Sequence, residues 1–268
     1  MLSDGSAEQT PLIIGHRGAS AIAPENTMVA FEQAMRDGAD GIEFDVRLAR
    51  DQVPVVIHDA GLRRTGLKAV DVASLSSREL SEIDVGTWFN LRHPSRAKDE
   101  YTLATIPLLS DVFERFRDSQ ARLYVEMKCD ALAEGRPLAR AVAGLVSDYS
   151  LFDSVVVESF THQSIAEIKR LDSSLRTAAL FEPKLARPFP STRRIIERAA
   201  AFGADEIALH RMLAGRRIAA EAARRGMRTV VWTVDNPSWK ERARRFGIHA
   251  IITNNPALMR ARTPDRSV

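Results

Sequence analysis

Short runs rich in Val, Ile and Leu alternate with longer amphipathic stretches along most of this 268-residue chain, and that alternation limits its fold more than any other feature. A strand buried on both faces reads as a continuous apolar run, and parallel neighbours need crossovers long enough to hold a helix. The runs are Leu12 to Gly15, Gly41 to Asp45, Leu123 to Glu126, Val155 to Glu158, Thr177 to Phe181, Glu206 to Leu209, Thr229 to Thr233 and Ala250 to Thr253. Eight strands joined by crossover helices close a barrel, and the length suits one. The expected fold is α/β, a (βα)8 TIM barrel, built as one domain over residues 1–268.

A ninth run, Pro54 to His58, follows the second too closely for a crossover and should run antiparallel to it. Arg50, Asp51 and Gln52 supply the turn, so Val46 to His58 reads as a β-hairpin extension of strand 2. Helices are expected over Thr27 to Asp37, Leu109 to Arg117, Arg136 to Tyr149, His162 to Leu171, Arg193 to Phe202, Leu213 to Arg225, Pro237 to Phe246 and Pro256 to Arg262. The first has Asn26 or Thr27 as its N-cap and Gly38 beyond its end. Residues 60–107 are too long for an ordinary loop and read as a small inserted subdomain before the third barrel strand, over the mouth.

Apolar residues make up 45% and charged residues 27%, which supplies a large core and argues against disorder. The net charge of +3 is too small to dress a nucleic-acid partner, so none is expected. Arginines 216, 217, 224, 225, 242, 244 and 245 lie in helical patterns, where they solvate faces and at most steer anions. Cys129 stands alone, which rules out an intramolecular disulfide and thiolate metal clusters and suits a reducing compartment. Met1 to Pro11 lacks a basic segment followed by an apolar core, and no run reaches membrane-span length. A cytoplasmic protein without stable membrane insertion is expected.

Reactive groups of such barrels gather at the carboxyl ends of the strands. Here the first strand ends in Gly15-His16-Arg17-Gly18, the second in Glu43-Phe44-Asp45, the hairpin return in His58-Asp59 and the third barrel strand in Glu126-Met127-Lys128. Glu43 and Asp45 stand two apart on a strand and so point to one side. With Glu126 they would repel strongly unless a cation sits among them, and an all-oxygen set suits Mg²⁺ or Ca²⁺. One acid alone would read as a salt-bridge partner; three at strand ends read as a metal site. His16 and His58 titrate near neutrality and can serve as general acid and base. Arg17 and Lys128 can offset the charge of a phosphodiester while also acting as counter-ions to the acids. His210 ends another strand and can line the mouth.

An ordered series now stands out: His16-Arg17-Gly18, Pro24-Glu25-Asn26-Thr27, Ile42-Glu43-Phe44-Asp45-Val46, Pro54-Val55-Val56-Ile57-His58-Asp59, Arg64-Thr65, Ile106-Pro107-Leu108, Glu126-Met127-Lys128, Ser159-Phe160, Val231-Trp232-Thr233-Val234 and Ile252-Thr253. Over residues 12–258 the chain resembles the glycerophosphodiester phosphodiesterase family. The resemblance implies metal-dependent hydrolysis of a small-molecule phosphodiester to an alcohol and glycerol phosphate. It matches His16 and His58 to acid-base histidines, Glu43, Asp45 and Glu126 to ligands of one divalent cation, Mg²⁺ or Ca²⁺, and Arg17 and Lys128 to phosphate contacts. Phe160 and Trp232 either touch the alcohol part of the substrate or pack the barrel. Asn254 stands where the family more often has Asp, and Glu158 is an additional acid without an assigned role. The attacking oxygen belongs to water or to a neighbouring glycerol hydroxyl. Two other functions fit the same pattern: lysophospholipase D-like hydrolysis of single-chain lipids, with Trp88, Phe89, Leu91 and Leu103 as a greasy entrance, or a non-catalytic barrel that binds a phosphate ligand.

Overall fold

The structure, a computed structural model, describes residues 10–183 and 190–261. Eight parallel strands close on themselves: β1 (Leu12–His16), β2 (Gly41–Leu48), β4 (Arg122–Met127), β5 (Val155–Ser159), β6 (Arg176–Phe181), β7 (Glu206–His210), β8 (Arg228–Trp232) and β9 (Ala250–Thr253). Closure comes from β1, which pairs with both β2 and β9. The ninth strand, β3 (Pro54–Val56), runs antiparallel to β2 with Val46 opposite Val56. Gln52 takes a positive φ of 63° in the hairpin turn, and Ile57 N–H donates to the Asp45 carbonyl at 2.9 Å, carrying the pairing past the strand's end.

Strand alternation decides what the barrel holds. Ile42, Phe44 and Val46 of β2 face outward into the layer shared with the helices, together with Leu123 and Val125 of β4. Glu43 and Asp45 must therefore face inward. The interior is filled by Ile14, Tyr124, Val156, Ala178, Leu180, Ala208, Val230, Ala250 and Ile252, one or two from each barrel strand except β2. Each large apolar side chain buried in these layers contributes roughly 1.5–3 kcal/mol against the entropy of ordering the chain.

The helices follow the strands: α1 (Met28–Arg36), α4 (Leu109–Phe116), α5 (Leu132–Asp148), α6 (His162–Leu171), α7 (Thr192–Ala201), α8 (Arg216–Arg224), α9 (Trp239–Phe246) and α10 (Pro256–Arg260). Thr27 caps α1 by accepting from Ala30 N, and the left-handed Gly38 (φ 82°) ends it. Its Phe31 lies 5.4 Å, centroid to centroid, from Phe44 of β2. Helix α5 starts a turn earlier than expected because the Glu134 carboxylate accepts from the N–H groups of Asp130 and Ala131. Helix α8 starts later, at Arg216, because Gly215 is extended (φ −170°). The expected end of α10 at Arg262, and most of the polar start Met1 to Pro11, lie outside the described residues.

Residues 60–107 form the inserted subdomain, with two short helices, α2 (Ser77–Ser81) and α3 (Thr87–Arg92), and three 3₁₀ turns. It has an apolar centre of its own: Leu62, Val72, Leu80, Ile83, Val85 and Ile106 pack with Val55 and Ile57 beside the hairpin. Phe89 and Tyr101 anchor it to Ala23 and Ala30 of the barrel, and the Tyr101 hydroxyl donates to the Ile22 carbonyl at 2.9 Å. Leu91 and Leu103 do not join that centre; they are 69% and 81% exposed.

Candidate active site

The site begins with a tight corner after β1. Arg17 has a positive φ of 53° and Gly18 one of 83°, a sequence of left-handed residues that only glycine makes cheaply at the second position. A Cβ on Gly18 would also sit 2.5 Å from the Ala30 carbonyl carbon, so this corner is pressed onto α1. The corner turns Arg17 back over the barrel. Its backbone N–H donates to Glu43 Oε2 at 3.1 Å, Nη1 donates to Glu25 Oε1 at 2.8 Å, and Nε lies 3.1 Å from Asp45 Oδ2.

A cavity of about 170 Å³ opens at the carboxyl ends of the strands. Eight of the nine residues singled out from sequence line it: His16, Arg17, Glu43, His58, Glu126, Lys128, Phe160 and Trp232. The ninth, Asp45, is fully buried beside it. The Asp45 carboxylate is already engaged: Oδ1 lies 3.1 Å from Lys128 Nζ, and Oδ2 accepts from Asn26 Nδ2 at 2.8 Å. Lys128 Nζ also lies 2.7 Å from Glu126 Oε1, bridging the two acids. Among the described residues, the acids whose oxygens all lie within 4.8 Å of one another are Glu43, Glu126 and Glu158.

Glu158 is the residue whose part sequence reasoning did not identify. Its signal was an acid at a strand end, and the parallel register makes sense of it by setting Glu158 directly beside Glu126. Glu158 Oε2 is buried with no hydrogen-bond partner. Burial, and then the charges of its neighbours, hold Glu43 and Glu158 well above the usual carboxylate range and push Glu126 up to about 7. Burial would raise Asp45 too, but Arg17 and Lys128 outweigh it and keep that carboxylate ionised. Three buried, mutually repelling carboxylates with an unpartnered oxygen fit a hard divalent cation, which would supply the positive charge they lack.

Each imidazole is held by its Nδ1. The Asn254 Nδ2 donates to Asp235 Oδ2 at 2.8 Å, which orients the amide so that its Oδ1 accepts from His16 Nδ1 at 2.7 Å. His16 Nε2 is left toward the cavity, 3.8 Å from Glu43 Oε2. His58 Nδ1 donates to Asp59 Oδ1 at 2.6 Å, and Asp59 is fixed in turn by Arg64 Nε at 2.7 Å. Arg64 continues to Glu25, which also holds Arg17, so one chain of ion pairs joins the His58 turn to the β1 corner. Burial, then the charge of Arg17, lowers His16 to about 4; burial lowers His58 as well, with Asp45 and Asp59 opposing.

Phe160 and Trp232 meet edge to face at 5.6 Å between ring centroids, and Lys128 Nζ lies 5.9 Å from the Phe160 ring centre. They form an apolar wall beside the charged groups. His210 also meets Trp232 edge to face, at 5.4 Å between ring centroids, and is not among the cavity's lining residues.

Known proteins resemble this arrangement over nearly the whole chain. The family model for the glycerophosphoryl diester phosphodiesterase family matches residues 16–258. The chain is 29% identical over 248 residues to a glycerophosphodiester phosphodiesterase of Caldanaerobacter subterraneus subsp. tengcongensis, covering 91% of this chain and 94% of that protein. It is also 29% identical over 258 residues to a glycerophosphodiester phosphodiesterase of Bacillus subtilis, covering 92% and 84%. A crystal structure of a glycerophosphodiester phosphodiesterase from Agrobacterium tumefaciens superposes with a TM-score of 0.74 at 27% identity, covering 93% and 98%. An Oleispira antarctica phosphodiesterase, solved with its product sn-glycerol-3-phosphate, shares the fold with a TM-score of 0.80 at 23% identity, covering 93% and 95%. The chain is a phosphoric diester hydrolase and belongs to the glycerophosphoryl diester phosphodiesterase family.

Proposed function

We propose that this protein hydrolyses glycerophosphodiesters to an alcohol and glycerol phosphate, with His16 and His58 as the acid-base pair and a divalent cation held by its buried acids. The observation that carries the reading is the juxtaposition of two imidazoles, each fixed through Nδ1, on a cavity walled by three mutually close carboxylates. Glu43 and Glu126 form the core of the cation site. Glu158 from β5 and Asp45 from β2 would complete the set around it. When bound, a divalent cation supplies charge that draws electrons from the phosphate and lowers the pKa of the attacking hydroxyl.

The remaining work falls to side chains. One Nε2 withdraws the proton from the attacking hydroxyl as the new P–O bond forms, and the other delivers a proton to the departing alkoxide as the old P–O bond breaks. A lowered pKa leaves the imidazole that acts as base free to accept a proton near neutral pH, whereas the one that acts as acid must enter the step already protonated on Nε2. Asp59 steadies a protonated His58, while the neutral Asn254 amide holds His16 in the tautomer that presents a free Nε2. Arg17 and Lys128 carry the positive charge that meets the phosphate oxygens, most needed as five oxygens crowd around phosphorus. The Phe160 and Trp232 wall covers the apolar side of the substrate's carbon skeleton and keeps water from it.

The Oleispira product complex supports glycerol phosphate as the retained half. The test is hydrolysis of glycerophosphocholine beside lysophosphatidylcholine, with Mg²⁺ or Ca²⁺ supplied. Release of choline from the glycerol diester is expected, and His16→Ala and His58→Ala should each lower kcat by about 10²–10⁴-fold. Hydrolysis of the lysolipid alone would overturn the substrate class, and variants as fast as the unaltered protein would overturn the histidine roles.

A further inference from the structure

A second cavity, of about 390 Å³, adjoins the catalytic one and shares His16 and Arg17 with it. Its far wall comes from the inserted subdomain, through Arg64, Trp88, Arg92 and His93. A diester with its phosphate at Arg17, which both cavities share, has room to extend past His16 into this second space.

The charges of the second cavity sort into committed and uncommitted groups. Glu25 accepts from Arg17 Nη1 and from both Nη atoms of Arg64, each at 2.8 Å. Arg64 is further bound to Asp59 and lies over the Trp88 ring. Asp235 accepts from Thr253 Oγ1, Asn254 N and Asn254 Nδ2. Arg92, at the end of α3, has no hydrogen-bond or ion-pair partner among the described residues. The neighbouring His93 packs against Phe89 with the rings tilted, 4.7 Å between centroids, and leaves its ring nitrogens without a described partner. Beside His16, the cavity therefore offers an unpaired guanidinium and the His93 imidazole, while both its carboxylates already hold donors.

We infer that this cavity receives the leaving alcohol, and that Arg92 selects alcohols carrying an anionic group, a carboxylate or a second phosphate. Arg92 is then a specificity residue supplied by the insertion, since a guanidinium reaches carboxylate or phosphate oxygens through paired N–H donors. The inference rests on the phosphodiesterase reading above, and it adds the substrate class.

Glycerophosphoserine and glycerophosphoethanolamine differ only by a carboxylate, so the ratio of their kcat/KM values isolates the proposed contact. With Mg²⁺ or Ca²⁺ supplied, the unaltered protein should favour the serine diester by about tenfold, the worth of one charge-assisted hydrogen-bonded contact. Arg92→Ala should bring the ratio near one, Arg92→Glu should take it below one, and Arg92→Lys should keep part of the preference. A ratio near one in the unaltered protein, or one that Arg92→Ala and Arg92→Glu leave unmoved, overturns the inference while the phosphodiesterase reading stands. If neither diester is hydrolysed, that reading fails and takes the inference with it.

Discussion

At its carboxyl-terminal end the barrel buries four acids, Glu43, Asp45, Glu126 and Glu158, beside two cationic side chains, Arg17 and Lys128; at its amino-terminal end it buries one acid, Glu206, in the company of arginines. Glu206 Oε2 accepts from the Tyr124 hydroxyl at 3.0 Å, and Arg228 Nη1 lies 3.8 Å from Oε1. Arg122 and Arg176 both donate to the Asp153 carbonyl nearby. A buried carboxylate is thus not in itself a metal site. What separates the two ends is the excess of one sign: acids outnumber cations where a divalent ion would help, and cations surround the acid where one would be repelled.

The sharpest way to break this contrast is to neutralise one acid at each end. Glu126→Gln should lower kcat/KM for glycerophosphoethanolamine by about 10³-fold, comparable to losing a central electrostatic contact, without lowering stability in the absence of metal. Steady-state kinetics beside denaturant titration checks both halves, and a variant that unfolds would mean the acids are structural. The corresponding change at the other end, Glu206→Gln, should leave the rate within about twofold.

Proton linkage sharpens the contrast further. Glu126 folds with its pKa raised from 4.5 to about 7, so the folded state keeps a proton that the unfolded chain has released between those values. Stability of the metal-free protein should therefore fall as pH rises from about 4.5 to about 7, and Glu43 and Glu158, raised in the same direction, should deepen the fall. Denaturation in chelator at pH 5 and pH 7.5 measures it, and saturating Mg²⁺ or Ca²⁺ should flatten the slope. A metal-free protein that gained stability over this range would contradict the picture of crowded acids.

The smallest effect belongs to the amino-terminal end. Tyr124→Phe removes the hydroxyl that Glu206 accepts from, and leaving that buried carboxylate short of a donor should cost about 1–2 kcal/mol of stability. Thermal denaturation of the variant tests it; no change would mean that Arg228 already satisfies Glu206.

The barrel was legible in the sequence because each strand wrote its own local signal. A run such as Val155 to Val157 is apolar wherever it ends up, and the hairpin turn at Arg50 to Gln52 needs only its own neighbours. Helix starts were less legible where a side chain or a backbone angle intervened, as at Glu134 and Gly215. His16, Glu43, His58 and Glu126 stand out from the chain alone because polar groups at the ends of apolar runs are conspicuous. Their partners are not. Asn254 orients His16 from 238 positions away, and Glu158 meets Glu126 only once β5 pairs with β4. The separate engagement of Asp45 depends on Asn26 and Lys128 arriving from different elements, which no local spacing encodes.

Cation dependence tests the central claim most directly. Protein stripped with chelator should hydrolyse glycerophosphoethanolamine at the uncatalysed rate, and added Mg²⁺ or Ca²⁺ should restore turnover along a saturating curve. The same titration of Glu158→Gln should reach half-saturation at about tenfold or more higher cation concentration, as expected for a site short of one carboxylate. Full activity in chelator, or restoration curves that coincide for the two proteins, would contradict the claim that these buried acids hold the ion.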